Sequence, residues 1–471
     1  MLGIHETIQY FFYMKRSHFS KSIRILKATC FFTLIIYLTG CNAKADKQPQ
    51  KTPKSKVTVE DVDRGIRAHI NKEVAVSNGY FRYEGDTATF DLKLVRVHTE
   101  YLSVLGPNEF FACVDLATSE GDVYDVDFFL KGTADSMIVT QTNLHKLNGK
   151  PYYTWKQAKD KTWSTVPVKS ASNELLGVIE GQDRFSFTYK VTLPELTNNA
   201  KLWLPLAQND RFQQIESKQI NAPVGYKIIK EVDFGNEILF MELTPAHSGS
   251  IVSVSYEVIR EEKYPYREDH LNLDQYLTST PLIPLTDRFS TIANEVITER
   301  NANTPLTEAR ALYDYIIDNM RYAKQGTYGT GDANYACDSK SGNCTEFHSF
   351  FIALARSVGI PARFAVGASI PSERNEGGVN GYHCWAEFYA DGKWWPVDIS
   401  EANKYTPLAT YYFGHHPANR IELSQGRNLQ FSPGPASGPV PFLAYPILEV
   451  NEEPVNVKTT FSFERKSDSS N

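Results

Sequence analysis

The chain has 471 residues and a formal net charge of −6, with 42% hydrophobic, 22% charged and 13% aromatic residues. At about 150 residues per domain this length implies roughly three domains, and the near-average composition excludes disorder, collagen and coiled coil as the main architecture. The acidic balance leaves no basic excess to neutralise phosphates, which argues against a nucleic-acid partner.

Lys15, Arg16, Lys21, Arg24 and Lys27 precede an apolar run from Ala28 to Leu38. Such a run reaches only about 17 Å as a helix, short of a bilayer core of roughly 30 Å. A positive leader, a short apolar core and small residues before a break make a secretory signal over residues 1–40. A short membrane anchor is the competing reading. The ending Leu38-Thr39-Gly40-Cys41 resembles the bacterial lipobox, whose cysteine becomes a lipid-modified N-terminus. That resemblance implies a lipid anchor at Cys41 and a place in the bacterial cell envelope, on the periplasmic side or at the outer membrane. Residues 41–56 then read as a disordered tether, since after Cys41 they are polar and carry five lysines against one aspartate.

Residues 57–165 read as a small α+β domain whose role the sequence does not declare. A helix over Val59–Val74 leads into alternating strands at Tyr80–Tyr83, Thr87–Val97, Phe110–Leu116 and Tyr124–Lys131. Residues 180–264 carry strands at short intervals: Arg184–Leu193, Lys201–Pro205, Tyr226–Val232, Glu237–Leu243 and Ile251–Val258. Turns containing Asn, Gly or Pro separate them, as in a β-sandwich. Residues 271–465 begin with helices instead. Phe289, Ile292, Ala293 and Val296 make one apolar stripe; Ala309, Leu312, Ile316 and Met320 make another, behind a Thr304-Pro305 start. A Gly/Tyr-rich loop is expected over Arg321–Asn343. Its Gly329-x-Gly331 lacks the lysine and hydroxyl of a phosphate cradle. Phe431–Phe442 reads as a Pro/Gly loop before one last strand, and residues 371–381 as a flap or an ordinary surface loop.

Four cysteines remain beyond Cys41: 113, 337, 344 and 384. They are too sparse for a disulfide scaffold and show no C-x-x-C spacing, so no structural zinc site and no metal or other cofactor is expected. Three of them lie within residues 337–384. Asn343-Cys344-Thr345-Glu346 opens a helix with a capping-box pattern, and Phe347, Phe350, Phe351, Leu354 and Val358 form its buried stripe. Cys344 in the first turn meets free N–H groups and the positive dipole end, which favour a thiolate.

A thiolate nucleophile needs a histidine beside it and a third group to hold that histidine. Gly381–Tyr389 reads as a strand, Asp391-Gly392 as a two-residue turn and Lys393–Ser400 as the return strand. Pairing Ala390 with Lys393 sets Trp385 opposite Asp398, which puts Asp398 diagonally beside His383 on one face. A bulge at Pro396 would break that register. Glu387 shares the face and is a second group that could orient His383. His348, four residues after Cys344, is a rival base with no acid placed to hold it. A metal set of Cys344, His348 and His383 has no fixed ligand spacing. The backbone N–H of Cys344 and a group from the preceding loop, with Tyr335 a candidate, would form an oxyanion pocket. Cys337 and Cys384 are left unassigned, as core thiols or as a pair.

Cys344 at a helix start, the Tyr382-His383-x-Trp385-x-Glu387 strand and Trp394-Trp395-Pro396-Val397-Asp398 resemble the transglutaminase-like core of bacterial envelope proteins. The likeness covers about residues 285–420. It implies a papain-like α+β core, the Cys344 helix packed on an antiparallel sheet, with a family-like β-sandwich ahead of it; with the small α+β N-terminal domain read from the residue pattern, the chain is expected to be α+β. It further implies Cys344 as nucleophile, His383 as general base and acid, and Asp398 as orienting carboxylate. The expected activity is acyl transfer from amides of a protein or peptide substrate through a thioester, as a peptidase or amidase. A crosslinking enzyme with an amine acceptor, and a non-catalytic envelope binding module, are the alternatives.

Overall fold

A computed structural model describes residues 57–84, 89–99, 102–157, 163–167, 177–269, 272–324, 326–404 and 408–466. The expected signal, Cys41 and the tether lie outside the described residues, as does the turn joining the first two strands. No helix among the described residues is long and apolar enough to cross a membrane.

Helix α1 (Val59–Val76) starts at Thr58, whose side chain accepts from the Asp61 N–H, and buries Val62, Ile66 and Ile70 on one stripe. That stripe covers an antiparallel sheet built from β1 (Phe81–Glu84), β2 (Thr89–Val97), β3 (Ser103–Gly106), β4 (Glu109–Ala117), β5 (Val123–Thr133), β6 (Ser136–Leu147) and β7 (Lys150–Pro151). A hairpin of β8 (Tyr153–Gln157) and β9 (Trp163–Pro167) follows. The second region opens with β10 (Gln182–Thr192), in which Asp183, Phe185, Phe187, Tyr189 and Val191 are all buried, the period-2 burial of a half-covered strand. It continues through β11 (Ala200–Leu206), β12 (Gln213–Asn221), β13 (Lys227–Lys230), β14 (Glu237–Leu243) and β15 (Ile251–Glu261).

The third region carries α2 (Asp287–Glu299), α3 (Pro305–Asn319), β16 (Arg321–Tyr322), α4 (Ala333–Ser339), β17 (Ser341–Gly342), α5 (Cys344–Ser357) and β18 (Ala362–Ser369). Then come β19 (Glu376–Val379), β20 (His383–Ala390), β21 (Lys393–Val397), α6 (Ile399–Lys404), β22 (Arg420–Gln425), β23 (Ile447–Val450), β24 (Glu453–Val455) and β25 (Lys458–Arg465). Helix α5 is buried at every position from Cys344 to Arg356, as befits a helix apolar around most of its circumference. It packs on the antiparallel sheet β21-β20-β18-β22, with α2, α3, α4 and α6 around it.

Several expectations need correction. The span expected as loop, 321–343, contains α4, capped by Asp332 whose carboxylate accepts from the Asn334 and Tyr335 N–H groups. Strand β12 escaped notice because QQIESKQIN is an exposed edge strand with little apolar alternation. The single last strand is three. The sandwich consists of two five-stranded sheets, β12-β15-β10-β25-β19 and β13-β14-β11-β23-β24, so segments 376–379 and 447–465 complete it. Residues 376–379 are therefore a paired edge strand on β25 within the span expected as flap or loop.

Candidate active site

Helix α5 begins where its sequence indicates. Asn343 Oδ1 accepts from the Thr345 N–H at 2.8 Å, and Glu346 Oε2 accepts from the Asn343 N–H at 3.0 Å. Cys344 thus takes the first helical position, where the N–H groups have no intrahelical partner. Glu346 also fixes the preceding loop: its Oε1 accepts from the N–H groups of Gly329 and Gly331, each at 2.8 Å. The glycine amides that could have cradled a phosphate are therefore committed to a carboxylate of this chain. Arg427 closes the loop from the other side, donating to Ser349 Oγ at 2.8 Å and to the carbonyls of Thr330 at 2.8 Å and Gly331 at 3.1 Å. Gly331 has φ +67°, and a Cβ there would sit 2.4 Å from Arg427 Nη1, so any other residue is strained and must displace the guanidinium.

The turn at Asp391 (φ 53°) and Gly392 (φ 77°) has both central residues left-handed, the geometry of a two-residue hairpin. Register runs unbroken from Ala390–Lys393 through Glu387–Pro396 to Ala386–Val397, with no bulge at Pro396. The return strand stops at Val397, three residues short of the expected end, because Asp398 turns the chain into α6. Asp398 Oδ1 accepts from Ser400 Oγ at 3.1 Å and from the Glu401 N–H at 3.2 Å. Its Oδ2 lies 2.6 Å from His383 Nε2, and Arg420 stands 3.9 Å away. A carboxylate that caps one helix with one oxygen and holds an imidazole with the other has little freedom to rotate.

His383 is also electrostatically coupled to Cys344. Burial opposes its charge, but Asp398 and Cys344 outweigh burial and raise its pKa to about 9. Burial also disfavours a Cys344 thiolate. Hydrogen bonds from Cys384 and His383, and the charge of His383, overcome it and hold the thiol well below the ordinary range. Cys384 is pushed well above its ordinary value by burial and by Cys344, so it stays a thiol; its sulfur lies 3.6 Å from His348 Nδ1. Both directions favour a thiolate–imidazolium pair over the neutral pair, and the site is closed from solvent: Cys344 is 2% exposed. Such a pair can attack an electrophilic carbon and return a proton to a leaving group.

The remaining expected residues fall elsewhere. His348 is not beside Cys344 as a base. Its Nε2 accepts from the Ile399 N–H at 3.1 Å, so Nδ1 carries the proton and donates to the Cys344 carbonyl at 2.7 Å. It ties α5 to the start of α6, next to Asp398, and neither nitrogen is left for a metal. Glu387 does not orient His383. It binds Lys263 at 3.1 Å, Tyr266 at 2.9 Å and Arg363 at 2.7 Å, which hold its carboxyl down at about 2 despite burial. Tyr335 lies on α4 with its hydroxyl toward Gly326. The tyrosine nearer Cys344 is Tyr382, whose hydroxyl accepts from Asn343 Nδ2 at 3.0 Å and whose ring sits with Phe442 and Tyr445, each centroid 5.4 Å away. Only its place before His383 marks it in the sequence. Cys384 is another omission. The four cysteines at 113, 337, 344 and 384 are free thiols, so Cys337 and Cys384 do not pair.

Residues 290–399 match the model of the transglutaminase-like superfamily. An uncharacterised protein of Haemophilus influenzae is 26% identical over 322 residues, covering 58% of this chain and 86% of that one. Among solved structures, a proposed cysteine protease of Cytophaga hutchinsonii is 14% identical with a TM-score of 0.41, covering 60% of this chain and 99% of its own. The periplasmic domain of TgpA from Pseudomonas aeruginosa is 16% identical with a TM-score of 0.26, covering 48% and 92%.

Proposed function

Starting from the transglutaminase-like domain at residues 290–399, we propose that this protein cleaves amide bonds of a protein or peptide substrate through a thioester on Cys344. The observation that carries the proposal is the buried 2.6 Å hydrogen bond of His383 to Asp398, with Cys344 at the first position of α5 electrostatically coupled to the same imidazole. The Cys344 thiolate attacks the amide carbonyl, and His383 gives its proton to the departing amine as the C–N bond breaks. Water then enters, His383 takes one of its protons, and the thioester is released as a carboxylic acid. Asp398 fixes the imidazole and stabilises its charged form. The Cys344 N–H at the helix end supplies one oxyanion donor. Tyr382, whose hydroxyl is held at the α5 start by Asn343 Nδ2 at 3.0 Å, is a better second donor than Tyr335.

Water is favoured as acceptor because a sulfur this enclosed admits the smallest nucleophile most readily. Comparing products with and without a primary amine tests this: amine incorporation outpacing hydrolysis would make the enzyme a crosslinker instead. Residues 15–41 support an envelope lipoprotein, which predicts a lipid-modified Cys41 at the mature N-terminus by mass spectrometry. An unmodified N-terminus upstream of Cys41 would overturn that placement.

The nucleophile assignment is tested by the pH dependence of alkylation, thiol by thiol, in wild type and in His383→Ala. Cys344 should react with an apparent pKa well below about 8.5 and lose that shift without His383. Alkylation of Cys344 no faster than that of Cys113 would instead favour a binding module without catalysis.

A further inference from the structure

A second polar cluster lies on the N-terminal sheet. Cys113 of β4, Asp125 and Asp127 of β5 and His145 of β6 each bring one donor atom within 4.8 Å of all the others. The ladder explains how. Cys113 pairs directly with Asp127 across β4 and β5. Between β5 and β6 the register shifts from Asp125–Lys146 to Val126–Leu144, leaving His145 as a bulge residue. A bulge re-aims its side chain, and the imidazole is turned onto the face that holds the two aspartates. The opposite face of β4 and β5 carries Ala112, Val114, Val126 and Phe128, packed with α1.

This cluster is poorly compensated. Lys146 meets Asp125 Oδ2 at 2.7 Å, but Asp125 Oδ1 is buried with no hydrogen-bond donor. Leaving such an atom unmet is costly, above all on a charged group. Two of the separations already suit a small cation, and the others close by a side-chain adjustment of about 1 Å. Tetrahedral zinc, with bonds of about 2.0–2.3 Å, spaces its ligand atoms about 3.3–3.5 Å apart. Here Cys113 Sγ is 3.3 Å and His145 Nδ1 3.4 Å from Asp127 Oδ1, and His145 Nδ1 is 4.0 Å from Asp125 Oδ1. An outer shell is present too: Tyr153 donates to Asp127 Oδ2 at 2.5 Å and stacks on His145 at 4.7 Å.

We propose that Cys113, Asp125, Asp127 and His145 form a structural zinc site that staples the three central strands β4, β5 and β6. Sulfur and nitrogen donors disfavour magnesium and calcium, which take oxygen. Four protein ligands leave no open position, as in structural rather than catalytic zinc. The expectation of no zinc site rested on ligand spacing along the chain, whereas these ligands converge through strand pairing.

The test is to strip the full-length protein with chelator and titrate it with Co²⁺, then displace the cobalt with Zn²⁺. One equivalent should bind and give a thiolate-to-cobalt charge-transfer band that disappears in Cys113→Ser and persists in Cys344→Ala. Asp125→Asn should weaken Zn²⁺ by at least the roughly 10–100-fold that an outer-shell partner alone is worth. Should the ligand variants not fold, Tyr153→Phe keeps the ring, loses only the hydroxyl, and should weaken Zn²⁺ about 10-fold. No uptake at stoichiometric Co²⁺ or Zn²⁺ by the wild-type chain overturns the proposal. A charge-transfer band that survives Cys113→Ser, or Zn²⁺ affinity unchanged in Tyr153→Phe, overturns it as well.

Discussion

Two buried clusters in this molecule each hold a cysteine, a histidine and an aspartate, and they reach opposite acid–base states. Cys344 opens a helix, and although burial opposes it, Cys384 and His383 hold it well below the ordinary thiol range. Cys113 sits in mid-strand, where burial and the carboxylates of Asp125 and Asp127 push its thiol far above that range. The carboxylates differ as well. Both oxygens of Asp398 are met by donors, whereas one oxygen of Asp125 has none. Residue types alone therefore do not set the chemistry. A helix end with a held imidazole makes a nucleophile, and a pair of carboxylates around a thiol makes a cation site.

The sharpest way to separate the clusters is to remove the sulfur of one. Cys344→Ala should lower kcat by on the order of 10⁶-fold, as loss of a nucleophile does elsewhere, while its cobalt band is retained. Turnover assays beside the metal titration would read this. Equal loss of turnover in Cys344→Ala and Cys113→Ser would break the comparison.

Asp398→Asn should cost about 10⁴-fold in kcat, since the imidazole loses the group that fixes its tautomer and charge. The pH profile carries a sign. In the wild type the imidazolium survives until pH rises through about 9, so the basic limb of kcat/KM should fall there. Without Asp398 the pKa of His383 drops, and that limb moves to lower pH. A basic limb that stays at about 9 in Asp398→Asn would assign it to another group.

Glu387 contrasts with Asp125 in being surrounded by Lys263, Arg363 and Tyr266. Glu387→Gln takes one carboxylate from each of two buried cations, leaving Lys263 to Glu422 and Arg363 to Glu268, so it should cost up to about 3 kcal/mol in urea unfolding, the low end for breaking a buried pair. The native carboxyl titrates at about 2, below its ordinary 4.5. Its contribution is thus present above pH 4.5 and lost as pH falls through about 2. In Glu387→Gln that part of the acid dependence should disappear, and the alkylation pKa of Cys344 should stay put. A moved alkylation pKa would mean that Glu387 does act on the site.

What could be read from the sequence follows the range over which its causes act. The start of α5 was legible because Asn343, Cys344 and Glu346 are local, and so was the Asp391-Gly392 turn. Counting across that turn puts Asp398 diagonally beside His383, and the two are hydrogen-bonded. The end of the return strand was not legible, because Asp398 suits a strand pattern as well as a helix cap. β25 pairs with β10 from the far end of the chain, and no local signal announces such a partner. Nor does any spacing rule bring Cys113, Asp125, Asp127 and His145 together, since a bulge in β6 does it. Glu346 lies between these cases: its capping role was readable, but its hold on Gly329 and Gly331 depends on a loop folding back.

That hold gives the smallest effect. Glu346 is the fully met counterpart of Asp125, with donors from Gly329, Gly331, Asn343 and Thr345 on its two oxygens. Gly331→Ala forces a left-handed residue to carry a Cβ against Arg427 Nη1, 2.4 Å away. The backbone strain should cost about 1–3 kcal/mol. Relief requires Arg427 or the loop to shift, and either movement loosens donors on Glu346 while the Asn343 cap of α5 stays. Stability should therefore fall while Cys344 keeps its depressed alkylation pKa, because His383 and Cys384 set that value and the loop amides do not. If the alkylation pKa rose together with the loss of stability, Glu346 and its loop would belong to the machinery that activates the thiol.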